Sequence, residues 1–153
     1  GLNSPFADID NIVGLKEASG DIAQIAKTAS LCRGRLDLYS GNDDQIVPLL
    51  ALGGVGVISV LANVAPKYTH DMVYSFLEGD ATKATKMQLD CIPLVNALFK
   101  EVNPMPIKEA LNLIGFDMGD PRLPLCNVEK STLSLLKKEL VAFGFDLMLD
   151  IAD

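Results

Sequence analysis

With 153 residues, 49% of them hydrophobic and 22% charged, the chain is long enough and apolar enough to bury a core, which excludes a disordered segment. Its net charge of −7, with no basic run longer than Lys137-Lys138, argues against nucleic acid or an anionic membrane surface as partner. Three widely spaced cysteines, no CxxC and a single histidine argue against a zinc site or a disulfide framework.

Unpaired thiols fit a reducing cytoplasm. The opening stretch "GLNSPFADID" has neither the basic region nor the apolar core of a signal peptide, and no stretch approaches the ~20 apolar residues that span a bilayer.

In chain order, Ile12 to Ala18 reads as a short apolar strand. Asp21 is placed to cap a helix whose small or apolar residues Ile22, Ile25, Ala26 and Ala29 recur at helical spacing. "RLDLYSGND" is a second strand and its loop. "QIVPLLALGG" is a short helix that admits Pro48 in its first turn and stops at the glycines. "VGVISVLANVA" reads as a third strand, nearly all apolar. Pro66 opens a helix that runs to Gly79. Strands hydrophobic on both faces, alternating with helices, predict an α/β protein with a parallel sheet.

After Gly79 the strands stop. "DATKATKMQLDCIPLVNALFKE" predicts a long helix bent at Pro93. "PIKEALNLIG" and "STLSLLKKELVAFG" are two more helices, each ended by glycine. The division expected is residues 1–79, with three parallel strands and their helices, and residues 80–153, a helical extension. No internal repeat or low-complexity linker is evident.

Chemistry in parallel α/β folds gathers at the C-terminal strand ends. Here those ends carry "KEASGD", "YSGNDD" and "SVLANVAP". Alternation groups Ile12, Gly14, Lys16 and Ala18 on one face, and Val13, Leu15 and Glu17 on the other. Burial of a lysine penalises its cation. The neutral amine is a nucleophile for ketones and aldehydes, giving a Schiff base. The structural reading is a lysine at a strand end, snorkelling or paired with Glu17 or Asp21.

Other polar groups have structural readings too. Asp43 or Asp44 is suited to cap the next helix. "LGGVG" is a helix stop or the wall of an anion pocket. His70 is a surface or boundary residue. Tyr39 and Tyr68 are phenolic acids or aromatic packing. Cys32, Cys91 and Cys126 read as buried filler.

Taken in order, "GLKEASGD", "LYSGNDD", "LGGVGVISVLANVAP" and "EVNPMPIKEALNLIG", followed by "RLPL" at 122–125, resemble the C-terminal half of the dihydrodipicolinate synthase family. The resemblance covers residues 11–145. It implies strands six to eight of a (β/α)8 barrel followed by a helical C-terminal extension. It implies that Lys16 is the lysine that forms an imine with pyruvate, and that Gly41 and Ile58 line the pyruvate pocket.

The resemblance further implies condensation with aspartate semialdehyde in lysine and diaminopimelate biosynthesis, with no cofactor beyond the imine itself. The family's tyrosine relay, its Thr-Thr carboxylate site and its substrate-binding arginine would lie upstream of residue 1. Little or no activity is therefore expected from this chain alone. The partners expected are a homo-oligomer or an N-terminal half. Related alternatives are an N-acetylneuraminate lyase-like or keto-deoxy-sugar aldolase, a non-catalytic half-barrel, and a phosphate-binding module using "LGGVG".

Overall fold

The computed structural model describes residues 8–32 and 34–148. The elements in chain order are β1 (Gly14–Glu17), α1 (Ile22–Cys32), β2 (Asp37–Ser40), a 3-10 turn (Asp43–Gln45), α2 (Ile46–Ala51) and β3 (Gly56–Val57), then α3 (Leu61–Val64), α4 (Pro66–Leu77), α5 (Ala81–Leu98), α6 (Met105–Leu113) and α7 (Lys130–Phe143). They form two compact units. The first holds residues up to Ser59 and Lys67–Leu89; the second holds Val60–Pro66 and residues from Asp90 onward.

The first unit carries a parallel sheet in the order β1-β2-β3. Gly14 pairs with Asp37 and Lys16 with Tyr39; Tyr39 pairs in turn with Gly56, and Ser40 with Val57. The expected parallel α/β arrangement is therefore present. One face of the sheet packs on helices. Ile25, Cys32, Leu36, Leu38 and Leu49 form a buried cluster, with Ile12, Leu15 and Ala29 packed against it. Burying side chains of this size stabilises by about 1.5–3 kcal/mol each. Ile12, expected on the Lys16 face, joins this cluster because it precedes the strand and alternation does not reach it.

The strands are shorter than the apolar runs predict. β1 covers 14–17, within the expected 12–18. "VGVISVLANVA" contributes only Gly56–Val57 to the sheet, and Leu61–Val64 turns into α3. The ladder runs out because β2 ends at Ser40, whose carbonyl accepts Ile58 N–H at 2.8 Å. Beyond it the chain bonds to itself: Ala65 N–H donates to the Leu61 carbonyl at 2.8 Å. A short apolar run fits either a buried strand or a buried helix, and periodicity alone does not separate them.

The helix signals hold. Asp21 Oδ1 accepts Ala23 N–H at 2.8 Å and Gln24 N–H at 3.3 Å, capping α1. Pro66 opens α4, Pro93 lies inside α5, and α7 stops at Gly144, whose φ of 107° suits glycine. In the second unit α6 packs on α3 and α7, and Ile107, Ala110, Leu136 and Leu140 are buried there. Glu101 Oε1 accepts Glu129 N–H at 3.0 Å at the start of α7. Among the described residues no helix is long and apolar enough to cross a membrane.

Candidate active site

Lys16, Gly41 and Ile58 lie at the C-terminal ends of three adjacent parallel strands. Lys16 is on β1, Gly41 directly follows β2 and Ile58 directly follows β3. Backbone bonds tie these ends together. Gly41 N–H donates to the Glu17 carbonyl at 2.7 Å, and Ile58 N–H to the Ser40 carbonyl at 2.8 Å. Lys16 and Gly41 are in close approach: a Cβ at Gly41 would stand 2.9 Å from Lys16 Cε and 2.5 Å from Ala18 Cβ. Only glycine leaves that space empty.

Lys16 is exposed, not buried as the apolar run predicts. The reason is its face of the sheet. Its companions there are Gly14, Tyr39 and Gly56, and the two glycines offer no cover. The Tyr39 ring fills the space that both leave. Cβ atoms built on Gly14 and Gly56 would lie 3.5 Å and 3.4 Å from it. The sequence alone allows Tyr39 to be a phenolic acid or a packing residue. The register makes it the cross-strand neighbour of Lys16, which only pairing reveals.

Glu17 points the other way and is 7% exposed. Its Oε1 accepts Ser19 N–H at 2.7 Å, so it folds "ASGD" back over the end of β1. Gln45 Nε2 then donates to the Gly20 carbonyl at 2.9 Å, which fastens this loop to the turn after β2. Gly20 has a φ of 74° and lies against the Asn42 side chain. Pairing of Lys16 with Glu17 across one face is thereby excluded, since adjacent strand residues point to opposite faces.

The remaining candidates separate cleanly. Asp43 and Asp44 sit inside the 3-10 turn, and the cap positions are Asn42 and Gln45. Asp43 is buried, and its carbonyl accepts Gln88 Nε2 at 2.8 Å while Gln88 Oε1 accepts Val47 N–H at 3.0 Å. In "LGGVG" the amides that would cradle an anion are already used. Gly53 donates to Leu50, Gly54 to Leu49 and Val55 to Leu38. His70 is exposed, stacked on Tyr74 with ring centroids 4.2 Å apart. Tyr68 donates its hydroxyl to the Met87 carbonyl at 2.7 Å. Cys32 and Cys91 are buried as expected; Cys126 is exposed, and all three are free thiols.

The family model for the dihydrodipicolinate synthetase family matches residues 4–143. The chain belongs to that family. It is 56% identical over 137 residues to 4-hydroxy-tetrahydrodipicolinate synthase 1 of Clostridium acetobutylicum, covering 90% of this chain and 47% of that one. It is 52% identical over 142 residues to the synthase of Caldicellulosiruptor bescii, covering 93% and 48%. Among solved structures, a monomeric dihydrodipicolinate synthase variant superposes with a TM-score of 0.90 at 42% identity, over 94% of this chain and 49% of the other. The Thermotoga maritima synthase gives 0.87 at 44% identity, over 91% and 48%. The resemblance carried by the ordered motifs is thus borne out. The chain spans about half the length of the curated relatives it matches.

Proposed function

We propose that these residues form the C-terminal half of a (β/α)8 synthase. In this reading β1, β2 and β3 are strands six to eight, residues 1–79 belong to the barrel and 80–153 to its helical extension. Lys16 is the Schiff-base lysine. In its free-base form Nζ adds to the pyruvate ketone, and the carbinolamine takes up a proton and loses water to give an iminium ion. The iminium accepts the electron pair of a methyl C–H bond as the proton leaves to a base, forming an enamine. The enamine carbon bonds to an aldehyde, and aspartate semialdehyde is the aldehyde used by the relatives' namesake reaction in lysine and diaminopimelate biosynthesis. Water then hydrolyses the imine and frees Lys16.

One observation carries the reading: Lys16, Gly41 and Ile58 converge at the C-terminal ends of three adjacent parallel strands, with Gly41 packed against the Lys16 stem. Glycine at 41 keeps a side chain off the Lys16 stem, so Nζ is free to meet a small keto acid at the strand ends. Gly41 and Ile58 would flank it. No separate cofactor is required, because the imine itself is the electron sink. The acid/base groups of the family lie in the half not matched here, and such groups supply ~10²–10⁴-fold in rate. Little synthase activity is expected from this chain alone. Free thiols fit the cytoplasm as its compartment.

The test is exchange of the pyruvate methyl protons in deuterium oxide, followed by proton magnetic resonance. The chain should accelerate exchange through the enamine, and Lys16→Ala should abolish the acceleration while leaving the other lysines in place. Equal exchange by wild type and variant would overturn the assignment.

A further inference from the structure

On its own face of the sheet the Lys16 stem has two ways to lean, and a side chain stands in only one of them. Parallel pairing sets Lys16 beside Tyr39 and Tyr39 beside Gly56, so the three share a face. Gly14, two residues before Lys16, is on that face too. The Tyr39 ring lies over both glycines. A Cβ built on Gly14 would stand 3.5 Å from its Cε2, and one built on Gly56 would stand 3.4 Å from Cδ1 and 3.5 Å from Cε1. These are van der Waals separations, so the ring closes the N-terminal side of the row. On the C-terminal side stands Gly41, which has no side chain. The Lys16 stem goes there: its Cε is 2.9 Å from where a Gly41 Cβ would be.

We propose that Tyr39 is a positioning residue for Lys16: its ring bars the stem from folding back over Gly14 and Gly56 and directs Nζ to the strand ends. This role rests on the reading of Lys16 as the imine-forming lysine and adds to it a residue that acts through the lysine. Lysine carries a flexible stem with many rotamers. Lys16 is exposed, and glycine at two neighbouring positions does nothing to narrow that choice. In the row Gly14, Tyr39, Gly56 the ring is the only bulk. Its contacts run through ring carbons, so the role belongs to the ring and not to the phenol hydroxyl. Aim matters to a nucleophile, since a misplacement of about 1 Å can cost ~10²-fold in rate.

The chain and its Tyr39→Ala, Tyr39→Leu and Tyr39→Phe variants are treated with pyruvate and borohydride, and the rate of labelling at the Lys16 peptide is read by mass. A parallel series uses formaldehyde and cyanoborohydride, which methylate an exposed lysine wherever its stem points. Rates are compared at equal folded fraction by circular dichroism, and the Leu variant stands in if the Ala variant does not fold. Tyr39→Ala should lower pyruvate labelling of Lys16 by about 10-fold. Tyr39→Phe should restore most of that loss, with Tyr39→Leu between the two. Methylation of Lys16 should stay at the wild-type rate in all three. Three outcomes overturn the role: undiminished pyruvate labelling in the Ala and Leu variants, an equal loss in Phe and Ala, or a loss of methylation that matches the loss of pyruvate label. No pyruvate label at Lys16 in the wild type sinks the imine reading and this role with it. A wild-type label that Tyr39→Ala leaves intact sinks only the role of Tyr39.

Discussion

Gly41 and Lys16 are matched to each other: the side chain that Gly41 lacks would sit 2.9 Å from the Cε of Lys16. The two residues come from loop and strand ends separated by a helix, and the Gly41 N–H bond to the Glu17 carbonyl at 2.7 Å holds them in place. Gly41→Ala should therefore act on both stability and chemistry. Lysine is flexible and yields, but the Ala18 Cβ at 2.5 Å has no rotamer to escape through, so backbone must move. Overpacking of this kind costs about 1–3 kcal/mol. Urea unfolding should show that loss, and labelling of Lys16 by pyruvate should fall by about 10-fold, which is the change that ~1.4 kcal/mol produces.

Glu17 is expected to position Lys16 without touching substrate. It lies on the opposite face, 7% exposed, with Oε1 on Ser19 N–H at 2.7 Å. Glu17→Ala leaves that amide without its acceptor and costs about 1–3 kcal/mol. Glu17→Gln keeps an acceptor oxygen and should restore most of the labelling rate at Lys16. Equal labelling by the Ala and Gln variants, at equal folded fraction, would show that the carboxylate does nothing for the lysine.

Gly53 and Gly54 should differ although they are neighbours. A Cβ on Gly54 would meet Leu49 Cδ2 at 2.1 Å and the Leu38 carbonyl at 3.2 Å, in the core beneath β2. Gly53 has open space around it, and only its φ of 93° resists a side chain. Gly53→Ala should cost about 1–2 kcal/mol for the left-handed backbone. Gly54→Ala should cost more, because Leu49 is fully buried and cannot retreat. Paired urea melts decide the order.

Asp71 gives a pH signature. The Lys67 ammonium, and after it the His70 ring, hold its carboxyl below the ordinary 3.8 by hydrogen bonding. A folded-state value below the unfolded one makes the contribution complete above about pH 3.8 and lost as pH falls through the lower folded value. The melting-temperature gap between wild type and Asp71→Asn should be flat from about pH 5 to 4 and close below that. The gap is small and shrinks in salt, since the groups are exposed. A gap that widens on acidification would contradict the assignment.

Much of this was legible in the residues, and the failures have physical causes. Asp21, Pro66 and Gly144 mark helix ends by local rules of capping and φ, and these need no tertiary context. The run after Gly54 misled because an apolar stretch satisfies a strand and a buried helix equally. Its division at Ile58 was decided by where β2 ends. The exposure of Lys16 was illegible for a different reason. Alternation names the face, but what covers that face depends on chain beyond the strand. Tyr39 became the neighbour of Lys16 only through register, which a single strand does not encode. Cys126 is hydrophobic by type and exposed by position, in the segment between α6 and α7.

The central claim is that Lys16 is the amine that takes up pyruvate. The direct measurement is reduction of the chain with borohydride in the presence of pyruvate, followed by intact mass and peptide mapping. The account predicts one reduced pyruvyl adduct, located on the peptide bearing Lys16 and absent from Lys16→Ala. An adduct spread evenly over the surface lysines, or none at Lys16 in a chain whose circular dichroism shows it folded, would contradict it.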